Sequence, residues 1–142
     1  LFNIFGTLTC GYLSTKFPKK FILSFIYFAR GIVIAFFIFL PPSPTTAILF
    51  GITFGFLWLA TVPPTAGMVS FIFGTKYMGL LYGIVFLSHQ IGSFFGAYLG
   101  GVFHDLYGSY DYAWYISIAL SIFAGLIHLP IIEKQVKRLQ TT

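Results

Sequence analysis

An arginine in the middle of an apolar run is the residue of this sequence best suited to chemistry. Arg30 is the tenth residue of the run 21–40, so it lies roughly 15 Å from either end of a helix spanning that run. A guanidinium at that depth needs a partner, and the acids Asp105, Asp111 and Glu133 all lie at the ends of other runs. The alternatives are an acid elsewhere, backbone carbonyls, water, or an anionic substrate whose carboxylate accepts two hydrogen bonds. We favour a structural ion pair and keep substrate binding as the alternative.

Two further polar side chains, His89 and Gln90, stand near the middle of the apolar run 78–103. Polar groups at membrane depth tend to face a cavity or the interior of a helix bundle. By helical rotation His89 lies near Gly92, whereas Gln90 lies on the other flank of the helix. His89 is therefore the better candidate for the interior of the bundle. We favour a neutral histidine that bonds a neighbouring helix, and we keep proton or substrate handling as the alternative.

The apolar run 46–72 carries a predicted break. Pro63 and Pro64 lack the N–H that a helix needs, so they leave the carbonyls four residues earlier without their usual donor. Trp58 and Thr61 lie near the prolines, and we predict a kinked helix there. Either this helix forms a substrate wall and a gate, or it is an ordinary proline kink with Trp58 in lipid, and the residues alone favour neither.

Small and polar residues form stripes on several predicted helices. A stripe with a period of four lets helix backbones approach closely, and here it consists of Ser88, Gly92, Gly96 and Gly100. We interpret it as a helix-packing face. Polar stripes elsewhere consist of Asn3, Thr7, Cys10 and Ser14, and of Trp114, Ser117, Ser121 and His128. Both are typical of helix packing, although Asn3 is kept as a candidate for the substrate pathway.

The composition excludes most other classes of protein. Charged residues make up only 8% of the chain and hydrophobic residues 58%, whereas a soluble domain carries about 25% charged residues. The net charge of +5 does not indicate a nucleic-acid binder, because the basic residues stand in short clusters between apolar runs. The sequence offers no catalytic constellation, phosphate loop or metal-ligand cluster, and Cys10 is the single cysteine. We therefore expect neither an enzyme nor a bound cofactor or metal.

Five apolar segments are candidates for membrane-crossing helices, which need about 20 residues each. They are 1–15, 21–40, 46–72, 78–103 and 112–132, followed by a polar tail at 133–142. The first segment is short, so we interpret it as the end of a truncated helix. The sequence thus predicts an all-α membrane protein, a bundle of about five transmembrane helices.

The basic residues predict the orientation of this bundle. With five crossings, seven of the eight fall on one side: Lys16, Lys19, Lys20, Lys76, Lys134, Lys137 and Arg138. The opposite side holds Asp105 and Asp111 and no basic residue. The positive-inside rule then predicts an integral protein of the cell (inner) membrane with a cytoplasmic C-terminus.

The connection at residues 11–20 resembles the G-x-L-x-D-R-x-G-R-K/R loop of the major facilitator superfamily. The positions that match by type are Gly11, Leu13, Lys16, Lys19 and Lys20. Thr15 replaces the acid and Pro18 replaces the second glycine. Four helices follow this loop, as they follow its degenerate copy between helices eight and nine of the twelve-helix fold.

Further short motifs, in the same order, resemble the bacterial branch related to the monocarboxylate transporters. They are Trp58 to Pro63, Phe73-Gly74 with Lys76, Gly79-x-x-Tyr82-Gly83-Ile84, Ser88 to Gly92, and Gly108 to Asp111. The resemblance implies helices eight to twelve, in the C-terminal half of the fold, with a site at the membrane midplane. It implies that the tenth helix lines the cavity and that the eleventh lies between the halves. Arg30 would then stand on the ninth, an outer supporting helix.

The same resemblance implies secondary active transport of a small solute by alternating access, with a monocarboxylate or other organic anion as candidate substrate and a proton as candidate coupling ion. The expected partners are the lipid bilayer, the substrate and the missing N-terminal half, and no nucleic acid. The alternative is a non-transporting structural membrane subunit or an inactive truncated fragment.

Overall fold

A computed structural model describes residues 1–136, which form six α-helices and, within that range, no strand. The helices are α1 (Phe2–Lys16), α2 (Lys19–Phe39), α3 (Pro44–Trp58), α4 (Val62–Phe73), α5 (Met78–Tyr107) and α6 (Asp111–His128). Four stretches are long and apolar enough to cross a membrane when α3 and α4 are counted as one span. The predicted all-α bundle of apolar helices is confirmed. The fifth predicted segment, α1, has 15 residues, or about 22 Å, against a hydrocarbon core of about 30 Å.

Turn chemistry sets several helix ends. Before α3, the Ser43 side chain accepts from the Thr46 N–H and the Thr46 side chain accepts from the Ser43 N–H, and Pro44 opens the helix. α5 ends at Gly108, whose φ of 66° lies in the left-handed region that glycine adopts without strain. The chain then turns within residues 108–110, and α6 returns beside α5.

α2 is the centre of the bundle and packs against α6 as an antiparallel pair. Near one end the Ser24 hydroxyl donates to the Gly125 carbonyl at 2.8 Å. Near the other end the Phe37 ring lies 5.8 Å from the Trp114 ring. A Cβ on Gly125 would lie 2.9 Å from the Phe28 ring. The pair is therefore packed closely along its length, and α3 and α4 contact α2 as well.

α1 packs against α3 through a close backbone approach at Gly6. A Cβ on Gly6 would lie 1.7 Å from the Phe56 carbonyl oxygen, so only glycine fits there. A small core lies beside this crossing, made of Cys10, Ile22, Ile26, Leu57 and Ala60. Many large apolar side chains are exposed, as a lipid-facing surface requires.

α5 lies at the edge of the described bundle, and none of its residues is buried. Its contact with α6 includes Tyr112, whose ring lies 4.6 Å from that of Tyr107. Among residues 1–136, no atom comes within 4 Å of a Cβ placed on Gly92, Gly96 or Gly100. The predicted helix-packing face therefore meets nothing in this part of the chain, and its packing role stays a prediction.

The segment after α6 turns back across the helix ends. Glu133 Oε1 accepts from the Lys20 N–H at 2.5 Å, and Lys20 Nζ donates to the Leu129 carbonyl at 3.1 Å. The Val136 N–H donates to the Ile72 carbonyl at 2.9 Å. The segment thus satisfies a donor in the first turn of α2 and an acceptor in the last turn of α4.

Some helix ends differ from the predicted segments. α6 ends at His128 rather than at 132, because Pro130 cannot supply the N–H of a further turn. α5 continues to Tyr107 rather than stopping at 103, and its end is set by Gly108. The predicted tail 133–142 is described only as far as Val136, and its residues 137–142 lie outside the described range.

The Gly6 contact predicts a sharp mutational effect. Gly6→Ala should separate α1 from α3, and overpacking of this kind costs about 1–3 kcal/mol of unfolding free energy. Thermal unfolding of the purified protein in detergent measures the loss. Gly55→Ala is the matched control in the same interface, because its Cβ would lie at an ordinary 3.9 Å from Phe2. Equal stability of Gly6→Ala and the unaltered protein would contradict this contact.

Candidate functional site

The span formed by α3 and α4 is broken at residues 59–61. In an uninterrupted helix the Val62 N–H would donate to Trp58, but it donates instead to the Leu59 carbonyl at 3.0 Å. Pro63 and Pro64 stand in the first turn of α4, where a missing N–H is tolerated. The break therefore precedes the prolines.

The position of the break corrects the expectation for the Leu59 carbonyl only, since no backbone N–H of residues 1–136 donates to the Ala60 carbonyl. The two prolines were expected to free the carbonyls of Leu59 and Ala60. The shortened bond from Val62 occupies the Leu59 carbonyl, and the acceptors exposed at the end of α3 are those of Leu57 and Trp58. The backbone tightens before the prolines and so moves the break upstream.

Arg30 of α2 closes the end of α3. Its Nε and Nη2 donate to the Leu57 carbonyl at 3.2 and 2.6 Å, and Nη2 also donates to the Trp58 carbonyl. A helix C-terminus carries partial negative charge, so the guanidinium is favourably placed. Among residues 1–136 no acid contacts Arg30. Of the partners considered from sequence, backbone carbonyls are the ones found, and the favoured ion pair has no acid in this part of the chain.

Asn3 of α1 holds the break from another side. The Leu59 N–H, which would bind the Gly55 carbonyl in a regular helix, donates to Asn3 Oδ1 at 3.0 Å. Two side chains from neighbouring helices therefore satisfy backbone groups that the break exposes. This matters at membrane depth, where no bulk water replaces a lost hydrogen bond.

A cavity of about 390 Å³ lies beside the break, with walls from α2, the α3–α4 span, α5 and α6. The polar side chains on its wall include Arg30, Thr61, Thr65, Tyr82, Ser88 and His89. No aspartate or glutamate of residues 1–136 lines it. The cavity thus combines apolar surface, hydroxyl and imidazole groups, and one permanent positive charge.

Tyr27 and His128 form the adjoining wall of the cavity. The Tyr27 ring stacks on the His128 imidazole with centroids 5.1 Å apart, and Arg30 Cζ lies 5.5 Å from the centroid of the same Tyr27 ring. His128 Nδ1 lies 2.6 Å from the Ala124 carbonyl. A guanidinium, a phenol and an imidazole therefore adjoin one another along the α2–α6 interface.

The cavity brings together four of the residues that the sequence indicated: Arg30, Trp58, Thr61 and His89. The resemblance had put the helix of Arg30 on the outside of the bundle, yet Arg30 reaches this cavity. Ser88, indicated only as part of the packing face, also lines it. Gln90 is exposed and Asn3 lies at the break, and neither is among the lining residues. The functional roles of all these residues stay predictions.

Sequence reasoning missed Tyr27, Tyr82 and His128. Tyr27 precedes Arg30 by three residues, so a search of the helix face around the mid-span charge could have found it. His128 stands near the end of its apolar run and was assigned to packing. Its contact with Tyr27 depends on the register between α2 and α6, which periodicity along one helix does not contain.

Comparison with known proteins agrees with the fold. The sequence pattern of the family described as Major Facilitator Superfamily matches residues 1–141. The "Uncharacterized MFS-type transporter YcxA" of Bacillus subtilis (strain 168) is 29% identical over 143 residues, which cover 94% of this chain and 34% of that protein. The chain therefore spans about a third of the length of this relative. No solved structure matches significantly.

The contact between Arg30 and the end of α3 predicts a local loss of structure on substitution. Arg30→Met keeps much of the apolar stem but removes every donor. Since a hydrogen bond to a charged group contributes about 1.5–3 kcal/mol, we expect a loss of stability of at least that order. Arg30→Lys keeps the charge without the fork of donors, so it should be intermediate.

Trp58 fluorescence measures the same change at the break. In a background where Phe replaces Trp114 and any tryptophan outside residues 1–142, Trp58 is the sole tryptophan, and its carbonyl is one of the Arg30 acceptors. We expect Arg30→Met to shift its emission and to lower the thermal midpoint. Unchanged emission together with unchanged stability would show that Arg30 does not hold the break.

Proposed function

Because the chain belongs to the Major Facilitator Superfamily, we propose that it forms helices eight to twelve of a secondary active transporter. That transporter moves a small solute by alternating access. The substrate class we propose is the monocarboxylates and other small organic anions, with coupling to protons, as in the branch that the sequence motifs resemble. The remainder of the polypeptide supplies the N-terminal half.

The anionic substrate rests on one observation: Arg30 lies in a cavity that, over residues 1–136, has no acidic lining. Its bonds to α3 use Nε and Nη2, and within the described chain Nη1 has no hydrogen-bond acceptor. Arginine offers five N–H donors, so Nη1 can donate to a carboxylate while the others hold the helix. Thr61 and Ser88 add hydroxyl groups on the same cavity wall.

The two helix ends at the break support the same substrate class. The C-terminus of α3 carries partial negative charge, and the Arg30 guanidinium offsets it. The N-terminus of α4 carries partial positive charge, and Thr61 and Val62 at that end line the cavity. The field inside the cavity therefore favours an anion. Half-helix N-termini bind anionic substrate groups in the same way in other transporters.

The break and α5 supply the elements that alternating access needs. α3 is held to α1 by the contact at Gly6 and the bond to Asn3, and α4 begins after the break as a separate segment, whose tilting is the motion that we propose. Trp58 and Thr61 then serve as cavity wall and gate, with Pro63 and Pro64 fixing the start of the moving segment. The small face of α5, with Gly92 and Gly96, packs against the N-terminal half in this proposal.

Proton coupling needs a group that titrates near neutral pH, and imidazole is such a group. His89 is the candidate that the sequence indicated, and it lines the cavity. Its ring lies 6.1 Å from that of Phe86 on the same helix. A proton held in this cavity would be close to the anion that it accompanies, which favours movement of the two together.

The transport proposal is tested with the complete transporter in liposomes preloaded with pyruvate. We expect saturable counterflow of radiolabelled pyruvate, inhibited by benzoate but not by uncharged benzamide, because the Arg30 site selects a carboxylate. Arg30→Lys should weaken inhibition by benzoate, and it should lower the thermal stability less than Arg30→Met does. Absence of counterflow for pyruvate, with intact folding, would contradict the proposed substrate class, and absence for every solute tried would favour a structural membrane subunit.

The orientation is tested by thiol labelling. With the C-terminus cytoplasmic in the cell (inner) membrane, residues 108–110 lie outside and residues 74–77 inside. In a background where alanine replaces Cys10 and any cysteine outside residues 1–142, Ser109→Cys should react with an impermeant thiol reagent added to intact cells. Thr75→Cys is the matched control and should react only after the membrane is opened. The reverse labelling pattern would overturn this orientation.

A further inference from the structure

His128 has a fixed tautomer and a cavity position that the transport proposal has not used. A carbonyl can only accept, so the 2.6 Å contact to Ala124 makes Nδ1 the donor. In the neutral imidazole Nε2 is then the bare acceptor. Among residues 1–136 no group donates to Nε2, and the side chain lines the cavity. His89 differs from it, because no hydrogen bond within the described chain fixes its tautomer.

Tyr27 links His128 to Arg30. The phenol ring stacks on the imidazole at 5.1 Å and adjoins the guanidinium at 5.5 Å. Arg30 and a protonated His128 would place two positive charges around one aromatic ring, and like charges repel each other. A carboxylate in the cavity would lie near both charges and remove that repulsion. Anion binding and proton binding therefore favour each other, and such coupling is reciprocal.

The charged and titratable groups around His128 come from several elements. α2 contributes Tyr27 and Arg30, and also Lys20, whose Nζ binds the carbonyl of the adjacent Leu129. α5 contributes Tyr82 and His89 to the same cavity. The following segment contributes Glu133, but its carboxylate is engaged at the Lys20 N–H. None of these groups is an acid that lines the cavity. An incoming anion is therefore what offsets the charge of a proton on His128.

We propose that His128 is the proton acceptor that binds its proton together with a carboxylate ligand held by Arg30, with Tyr27 as the positioning residue between them. This inference rests on the proposed function and assigns the proton to a residue other than His89. It concerns binding of a proton and an anion only, and no covalent bond changes. The ligand class is a small monocarboxylate.

The first test is proton uptake on ligand binding, which does not depend on transport. Pyruvate is added to the complete, detergent-purified transporter in weakly buffered solution near neutral pH, with an indicator dye. We expect uptake of protons by the unaltered protein and none by His128→Asn. Asparagine keeps an amide nitrogen at the place of Nδ1, so the bond to Ala124 can persist while the acceptor at Nε2 is lost. His104→Asn is the matched control and should keep the uptake, because His104 lies near the end of α5 and outside the cavity lining.

The second test compares counterflow with uptake driven by a pH gradient in the same liposomes. His128→Asn should retain counterflow of radiolabelled pyruvate but lose accumulation above equilibrium. In the unaltered protein the apparent affinity for pyruvate should change between acidic and alkaline pH, within the roughly 5- to 150-fold range typical of coupled sites. In His128→Asn it should be nearly constant. Tyr27→Leu should reduce this pH dependence, and Tyr27→Phe should preserve it.

The outcomes separate the two proposals. Normal proton uptake and normal pH-driven accumulation by His128→Asn would overturn the role of His128 while leaving anion transport intact. Proton uptake that depends on His128, without transport, would support the site and contradict the transport proposal. Loss of both in His89→Asn but not in His128→Asn would assign the proton to His89. No pyruvate binding at all would overturn both proposals.

Discussion

The hydrogen bonds from Arg30 to the end of α3 are the interaction on which the arrangement of this chain depends. A guanidinium at membrane depth and a helix end at membrane depth are each costly alone. Here each supplies what the other lacks, because Nε and Nη2 donate to carbonyls that the break has exposed. The break in turn exposes Thr61 and Val62 to the cavity. This one contact accounts for both the charge in the middle of the membrane and the break in the helix.

The sequence predicts the helices and much of the cavity, and the reason is physical. Apolar runs bounded by Gly and Pro leave little choice but helices in a bilayer. An arginine in the middle of an apolar run and a Pro-Pro pair both indicate polar groups without hydrogen-bond partners. Both are found at the break between α3 and α4. What periodicity could not supply is which groups meet across helices. Leu57 is 27 positions from Arg30, and that contact depends on the register of α2 against α3.

The glycines show the same limit of prediction from sequence periodicity. The regular stripe on α5 is the conspicuous packing signal in the sequence, yet within residues 1–136 nothing approaches Gly96. Isolated glycines mark the close contacts instead: Gly6 meets the Phe56 backbone, and Gly125 meets the Phe28 ring. A stripe predicts an extended surface for another helix, whereas a single crossing requires one small residue only. Sequence periodicity therefore detects long interfaces better than point contacts.

The three-residue interval between α3 and α4 determines how this span responds to an inserted or deleted residue. In a continuous helix each residue adds about 100° of rotation, so inserting one would turn every later side chain away from its neighbour. Here α3 ends against Arg30 and Asn3, and α4 starts afresh at Val62. The helical phase of the second segment is therefore set by its own packing rather than inherited from the first. The packing of α3 and the packing of α4 can therefore change independently. An insertion or deletion in the connection between them need not disturb either helix.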